Sequence, residues 1–527
     1  MRYLMLLQVV VAQTHLYHVE FVSKPRTLLL YPETFLSQAA IERRAMQGIP
    51  IDETDLPVPQ AWIDSLSRYA KVLGVSRWLN AALIESTTPL RLPSWPFIAC
   101  VASWAAPKYV PPVVEATSSF SVSMTSPTNA INSAQLAQLK LLDLHSAGYT
   151  GRGIRVAILD AGFPAMDTMR AFRHIFDERR YIQGYDFVAG DSTIFGDDSH
   201  GTLVSSVILG YAPGIVNYMG GAPHISVILA RTENAASETR TEEWNWARAA
   251  EWSDSLGAHI IQSSLGYSTF DDPTESYTYA QMDGRTAITT QAARIAARKG
   301  ILVVSSAGNE GNQPWHYITA PADADSILAI GAVNEQGNIA PFSSRGPTAD
   351  RRVKPDVVAV GWGTYVLNRR SEPIRGSGTS FAAPLITSLA ACLWQARPNV
   401  PGWIIRNAIL LSGDRFQNPD TLYGHGIPDG VKALQRVVSL SYTPPIAQLQ
   451  IYPNPVSSTL YVSFIDGEYA WYDLQIWDMQ GNLLHSQPYR GMVQMPIDIN
   501  HLPQGLYFLY LRQRDTGRTF QASFVKI

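Results

Sequence analysis

Asp160, His200 and Ser380 stand in surroundings that suit them to nucleophilic chemistry. Asp160 ends the apolar run Val156-Ala157-Ile158-Leu159, and Gly162 follows to turn the chain. His200 lies in Asp197-Asp198-Ser199-His200-Gly201-Thr202, at the predicted start of a helix. Ser380 lies in Gly376-Ser377-Gly378-Thr379-Ser380-Phe381-Ala382-Ala383-Pro384, also at a predicted helix start. A serine hydroxyl is a poor nucleophile until a base takes its proton. An imidazole can be that base near neutral pH, and a buried carboxylate can fix its tautomer and stabilise its charged form. Attack on a carbonyl creates an oxyanion, which needs fixed donors. A backbone N–H at the Ser380 helix start and the amide of Asn309 can supply two. Asn309 closes the run Ile301-Leu302-Val303-Val304-Ser305-Ser306-Ala307-Gly308-Asn309.

Taken singly, each signal is weak. An aspartate at a strand end often caps a loop, and a serine at a helix start is often an N-cap. The combination decides. Asp-x-Gly, His-Gly-Thr, Ala-Gly-Asn and Gly-Thr-Ser-x-Ala-x-Pro occur in that order and resemble the signature of the subtilisin-like (subtilase) serine peptidases. The chain order Asp, His, Ser is that of subtilisin and differs from other triad folds. The resemblance spans roughly Gln135 to Val438. It implies an endopeptidase that works through an acyl-enzyme on protein or peptide substrates. It also implies that Ser264, Leu265 and Gly266 line the substrate cleft and pair with the peptide backbone, with Ala307 and Gly308 as further substrate-binding positions. One departure stands out: the family usually has Ser or Thr after the aspartate, and here Ala161 removes a hydroxyl beside the triad. No cofactor is required by this chemistry. The resemblance makes calcium a candidate ligand, for which the sequence names no residues. A catalytically silent binding protein on the same scaffold is disfavoured because all four active-site positions are present. A serine esterase is disfavoured by the lack of a Gly-x-Ser-x-Gly elbow.

These residues need a scaffold that brings them together. Short apolar runs from Arg155 to Asp160, Ile225 to Ala230, Ile260 to Ser263, Ile301 to Ser305 and Ile327 to Val333 alternate with helical stretches. The helices are expected from Gly201 to Leu209, Glu242 to Leu256 and Thr286 to Lys299. That alternation predicts an α/β fold, a parallel sheet with helices on both faces. Its active residues belong at the carboxyl ends of the strands.

The rest of the chain divides around this unit, which runs over 129–441. Residues 1–12 read as a signal peptide: Arg2, a short apolar run, and a small residue at Ala12. Residues 13–110 read as a small α+β unit. It has a strand from His15 to Val22, a helix capped by Ser37 and ended by Gly48, a helix near Pro59, and strands from Leu79 to Glu85 and Phe97 to Trp104. Residues 111–128 form a Pro-, Ser-, Thr- and Val-rich linker, the expected cleavage junction. Alternating residues from 449 to 527 predict a small β-sandwich. The N-terminal unit resembles a subtilase propeptide, which assists folding and inhibits until cleaved. The tail resembles the type A sorting domain of the type IX secretion system of Bacteroidetes. Its marks are Tyr452-Pro453-Asn454-Pro455, Gly505-Leu506-Tyr507 and Lys526. These resemblances imply a self-processing precursor that meets its own propeptide and the outer-membrane secretion machinery, and ends secreted or at the cell surface.

Composition is that of an ordinary soluble globular protein. The chain is 46% hydrophobic with a net charge of −3, unlike a basic nucleic-acid binder. Its 2 cysteines, Cys100 and Cys392, are too few and too distant for a disulfide scaffold. The acidic stretch Phe270-Asp271-Asp272-Pro273-Thr274-Glu275 is expected near the cleft.

Overall fold

The computed structural model describes residues 14–106, 130–214, 217–440, 448–465 and 470–527. The signal-peptide reading and the linker at 111–128 lie outside the described residues. Among those described, no helix is long and apolar enough to cross a membrane.

The central sheet has seven strands, all parallel. Across the sheet their order is Val357–Val360, Leu328–Val333, Leu302–Ser306, Ile260–Ser263, Arg155–Asp160, Ser226–Arg231 and Tyr181–Asp186. From Arg155–Asp160 the chain first builds outward in one direction, then returns to build from Ile260–Ser263 in the other. The topological switch therefore falls between these two strands, where a crevice opens beyond their carboxyl ends. The apolar strands are buried on both faces, which is why they read as continuous hydrophobic runs. Five of the seven were legible in that way. The four-residue Val357–Val360 was missed although buried, and Tyr181–Asp186 was missed because it is an edge strand with exposed Ile182 and Gln183. The fully buried helix Thr379–Ala396 packs on one face, with Leu385, Leu389 and Leu393 in the core. Helices Arg240–Ser255 and Ile288–Arg298 cover the other face.

The N-terminal unit is a four-stranded antiparallel sheet ordered Lys71–Ser76, Ala81–Ser86, His15–Phe21, Ile98–Trp104, with helices Gln38–Gln47 and Gln60–Ser67. Lys71–Ser76 was missed in the sequence. Its Gly74 marks a register shift, and a Cβ there would lie 2.5 Å from the Arg248 guanidinium. The sheet sits on helix Arg240–Ser255. Glu251 of that helix accepts from Ser76 Oγ at 2.9 Å and from the Trp78 N–H at 3.0 Å. Trp244 packs among Leu16, Ala81, Leu83 and Trp104.

His18 lies in this joint, stacked on Trp104 with ring centroids 4.8 Å apart and meeting Trp244 edge-on at 5.3 Å. Burial pushes its pKa from 6.5 down to about 4. A base whose folded pKa is lowered favours the folded state fully above its unfolded pKa, and that advantage is lost as pH falls towards the folded value. Between pH 6.5 and 4 the loss is on the order of 3 kcal/mol. Thermal unfolding of the full chain is expected to show a smaller drop in Tm from pH 7 to pH 4 in His18→Phe than in the parent.

The C-terminal domain has a three-stranded sheet, Gln448–Tyr452, Thr459–Ile465 and Gln494–Asp498. Its four-stranded sheet is ordered Leu483–Arg490, Trp471–Trp477, Gly505–Gln513 and Thr519–Lys526. Leu460, Val462 and Phe464 from one sheet and Leu474, Ile476 and Leu509 from the other share one core. Both cysteines are free, Cys100 exposed and Cys392 buried.

Candidate active site

Asp160 and Ser264 meet at the topological switch. Leu159 pairs with Ser263 across the sheet, so Asp160 ends one strand beside the residue that leaves the other. Asp160 is fully buried. His200 opens helix His200–Leu209. Glycine lets that helix approach: a Cβ on Gly201 would lie 2.3 Å from the Gly162 carbonyl oxygen and 2.9 Å from Asp160 Cβ. A Cβ on Gly162 would lie 2.7 Å from the carbonyl oxygens of Gly196 and Asp198. The motif glycines are thus steric requirements of placing the imidazole on the carboxylate.

The imidazole Nδ1–H donates to Asp160 Oδ1 at 2.8 Å, and the Ala161 N–H donates to the same oxygen at 2.8 Å. Asp160 Oδ2 is buried without a hydrogen-bond partner. Ala161, where the resemblance leads one to expect Ser or Thr, offers it no hydroxyl. Burial pulls the His200 pKa down. The Asp160 carboxylate opposes this by charge and hydrogen bond, aided by Asp198 and Glu233, and the balance lies above the ordinary histidine value.

Ser380 is the second residue of helix Thr379–Ala396 and is 8% exposed. Its Oγ donates to the Ser264 carbonyl at 3.2 Å, and Ser264 Oγ donates to the Ser380 carbonyl at 2.8 Å. The nucleophile candidate and the cleft wall are therefore tied to each other. Asn309 is fixed through its acceptor end: Oδ1 accepts from the Thr379 N–H at 2.9 Å and from Thr379 Oγ1 at 3.0 Å. A Cβ on Gly378 would lie 3.7 Å from Asn309 Nδ2. The first N–H groups of a helix have no intrahelical acceptor, so the Ser380 helix start offers further donors.

Of the other expected cleft positions, Gly308 accepts from Thr379 Oγ1 at 3.1 Å and Ala307 accepts from the Thr319 N–H at 3.1 Å, and Leu265 and Gly266 follow Ser264. A Cβ on Gly266 would lie 2.2 Å from Thr319 Oγ1, and one on Gly308 (φ +106°) would lie 2.9 Å from it. Thr319 Oγ1 is buried and has no hydrogen-bond partner. The sequence reading missed Thr319, Thr379 as the residue that orients Asn309, and Glu233 as a charge acting on His200. Thr379 alone had a signal, lying inside the serine motif. The acidic stretch carries a carboxylate to the end of the N-terminal unit, where Glu275 accepts from the Ala105 N–H at 2.8 Å. Among the described residues, no group of three or more His, Cys, Asp or Glu side chains is arranged to hold a metal ion.

Fold and site together define a serine hydrolase on a doubly wound parallel sheet. The chain belongs to the subtilase family, whose family model matches residues 151–426. The peptidase S8 propeptide domain of Bacteroidota matches residues 16–112, and the secretion system C-terminal sorting domain matches 450–525. Among its relatives, subtilisin DY of Bacillus licheniformis is 28% identical over 294 residues, covering 55% of this chain and 93% of that protein. Subtilisin Savinase of Lederbergia lenta is 27% identical over 283 residues, covering 54% and 91%. The subtilisin-like protease PopC of Myxococcus xanthus is 31% identical over 295 residues, covering 53% and 59%. The crystal structure of MycP1 from the ESX-1 type VII secretion system superposes with a TM-score of 0.48 at 21% identity, covering 64% of this chain and 93% of that one. The protein is a serine endopeptidase made with a propeptide and a sorting tail, and its destination is the cell surface or the medium.

Proposed function

We propose that Ser380 is the nucleophile, His200 the general base and Asp160 the residue that orients and charges the base, in a self-processing precursor. The observation that carries this is the 2.8 Å bond from His200 to a fully buried Asp160, beside a serine held against the cleft wall. A turn of the Ser380 side chain transfers its donation from the Ser264 carbonyl to the imidazole, as catalytic hydrogen bonds often tighten only with substrate bound. His200 takes the hydroxyl proton as Oγ bonds to the scissile carbon. The carbonyl oxygen becomes an oxyanion facing Asn309 Nδ2 and the Ser380 N–H. His200 then gives its proton to the leaving amine as the C–N bond breaks. Water, activated by the same imidazole, hydrolyses the acyl-enzyme.

Substrates are proteins or peptides whose backbone lies along Ser264–Gly266. The enzyme's first substrate is its own linker, and the outer-membrane secretion machinery is the partner of its tail. The propeptide supports this reading, because Ala105 follows its last strand and is held by Glu275 of the peptidase domain.

Two measurements test the chemistry. The imidazole must be neutral to accept a proton, so kcat/KM is expected to fall on acidification. The raised pKa of His200 places that midpoint above about 6.5. A profile flat from about pH 5 to 8 contradicts a histidine base. Asn309→Ala is expected to lower kcat by about 100- to 1,000-fold with KM little changed, because the amide meets the oxyanion and not the ground-state carbonyl. An effect mainly on KM counts against the oxyanion role.

A further inference from the structure

The segment Ile51-Asp52-Glu53-Thr54-Asp55 of the propeptide faces two domains at once. Towards the peptidase domain it belongs to a buried ionic network. Arg44 pairs with Asp55 at 2.8 Å and with Asp254 at 2.5 Å, and Arg43 pairs with Asp254 at 2.5 Å. Lys299 donates to Asp52 and to Asp55, each at 2.7 Å. Arg43, Arg44 and Lys299 balance Asp52, Asp55 and Asp254. Removing Asp254 would leave Arg43 buried without its acid, so breaking the network there is costly.

Towards the C-terminal domain the same segment makes a single parallel β-bridge, Ile51 to Val493. The Ile51 N–H donates to the Met492 carbonyl at 2.7 Å, and the Gln494 N–H donates to the Ile51 carbonyl at 2.8 Å. Among the described residues, both backbone hydrogen bonds between the C-terminal domain and the rest of the chain run to Ile51. The pairing is parallel and falls at the start of Gln494–Asp498, an edge strand of its sheet. Unpaired edges are where a foreign strand can add. Val493 is fully buried, in a cluster otherwise built from propeptide residues, among them Leu29, Leu36, Ile41 and Leu56. Tyr31 meets Trp471 edge-on at 5.9 Å, and Leu30 packs on the core of the C-terminal domain.

We propose that the propeptide is a clasp that holds the C-terminal domain to the peptidase domain, so that loss of the propeptide releases both. Activation and freeing of the sorting domain are then one event. In the precursor the start of the Gln494–Asp498 edge and the apolar face of Val493 are covered. In the mature enzyme they are open, and the covalent connection through residues 441–447 is what joins the two domains. This rests on the reading of the N-terminal unit as a removable propeptide.

The test is residue-resolved hydrogen exchange at the Gln494 amide. It is measured in full-length Ser380→Ala protein, in that protein carrying Val493→Asp, and in matured wild type separated from its propeptide. Gln494 is expected to exchange slowly in the first and at least about tenfold faster in the other two. The amide of Val462, on the central strand Thr459–Ile465, stays slow throughout and reports that the domain is folded. If Val493→Asp unfolds the domain, Tyr31→Ala replaces it, and the same acceleration is expected. Equal protection of Gln494 in precursor and mature enzyme overturns the clasp, as does unchanged exchange in a folded Val493→Asp or Tyr31→Ala protein. Failure of self-processing would appear separately, as absence of the shortened wild type, while the Ser380→Ala variants still decide the docking.

Discussion

Ser380→Ala is expected to lower kcat for peptide hydrolysis by about a millionfold, since the atom that forms the acyl bond is gone. A residual rate of about 10³- to 10⁴-fold over water is expected to remain, because the oxyanion donors and the cleft are untouched. The loss should appear in kcat, with KM for a peptide substrate little changed. If the enzyme opens its own junction as proposed, kinetics on the variant need that junction opened by an outside protease. The fold is not at risk. Ser380 makes one hydroxyl hydrogen bond, to the Ser264 carbonyl, at the mouth of a helix whose apolar face is buried over its whole length. Near-wild-type activity in this variant would mean that another residue is the nucleophile.

Asp160→Asn is expected to lower kcat by about 10⁴-fold with the structure intact. The side chain keeps its shape, and an amide oxygen can still accept from the Ala161 N–H. What changes is the imidazole. The carboxylate accepts from Nδ1–H and stabilises the charged ring, and both its charge and its hydrogen bond raise the His200 pKa. A neutral amide removes the charge and can present N–H to the ring, favouring the tautomer that leaves the wrong nitrogen free. The acid limb of the pH profile should therefore move to lower pH as the rate falls. A loss below tenfold with an unmoved limb would show that Asp160 does not orient the base.

The catalytic residues were legible because their neighbours encode contact distances. Gly201 is glycine because a Cβ would strike the strand end that bears Asp160, Gly162 because one would strike the backbone of Gly196 and Asp198 just before His200, and Gly266 because Thr319 fills that space. Such constraints leave the same short words in sequence wherever the geometry recurs. The buried strands were legible for a related reason, since burial on both faces leaves no polar alternation. What could not be read depends on partners distant in the chain. Nothing near Thr319 announces that its hydroxyl faces two glycines of other segments. Tyr181–Asp186 lies at an edge and carries polar residues. Ile51 looks like an ordinary apolar residue before an acidic turn, and its pairing with Val493 joins opposite ends of the sequence. Arg43 and Arg44 are both buried in a short helix, because the acids that neutralise them arrive from Asp55 and from the end of another helix at Asp254, and nothing local announces this.

The central claim is that Ser380 is a nucleophile activated by His200. It is tested most directly by reacting the matured protein with an organophosphorus fluoride and locating the adduct by peptide mass spectrometry. The phosphorus–fluorine bond breaks as the activated oxygen attacks, so the label marks the working nucleophile. The account predicts one stoichiometric adduct, on Ser380, with parallel loss of peptidase activity and no labelling in matured His200→Ala protein. Labelling at another residue, or undiminished labelling of Ser380 without His200, would contradict it.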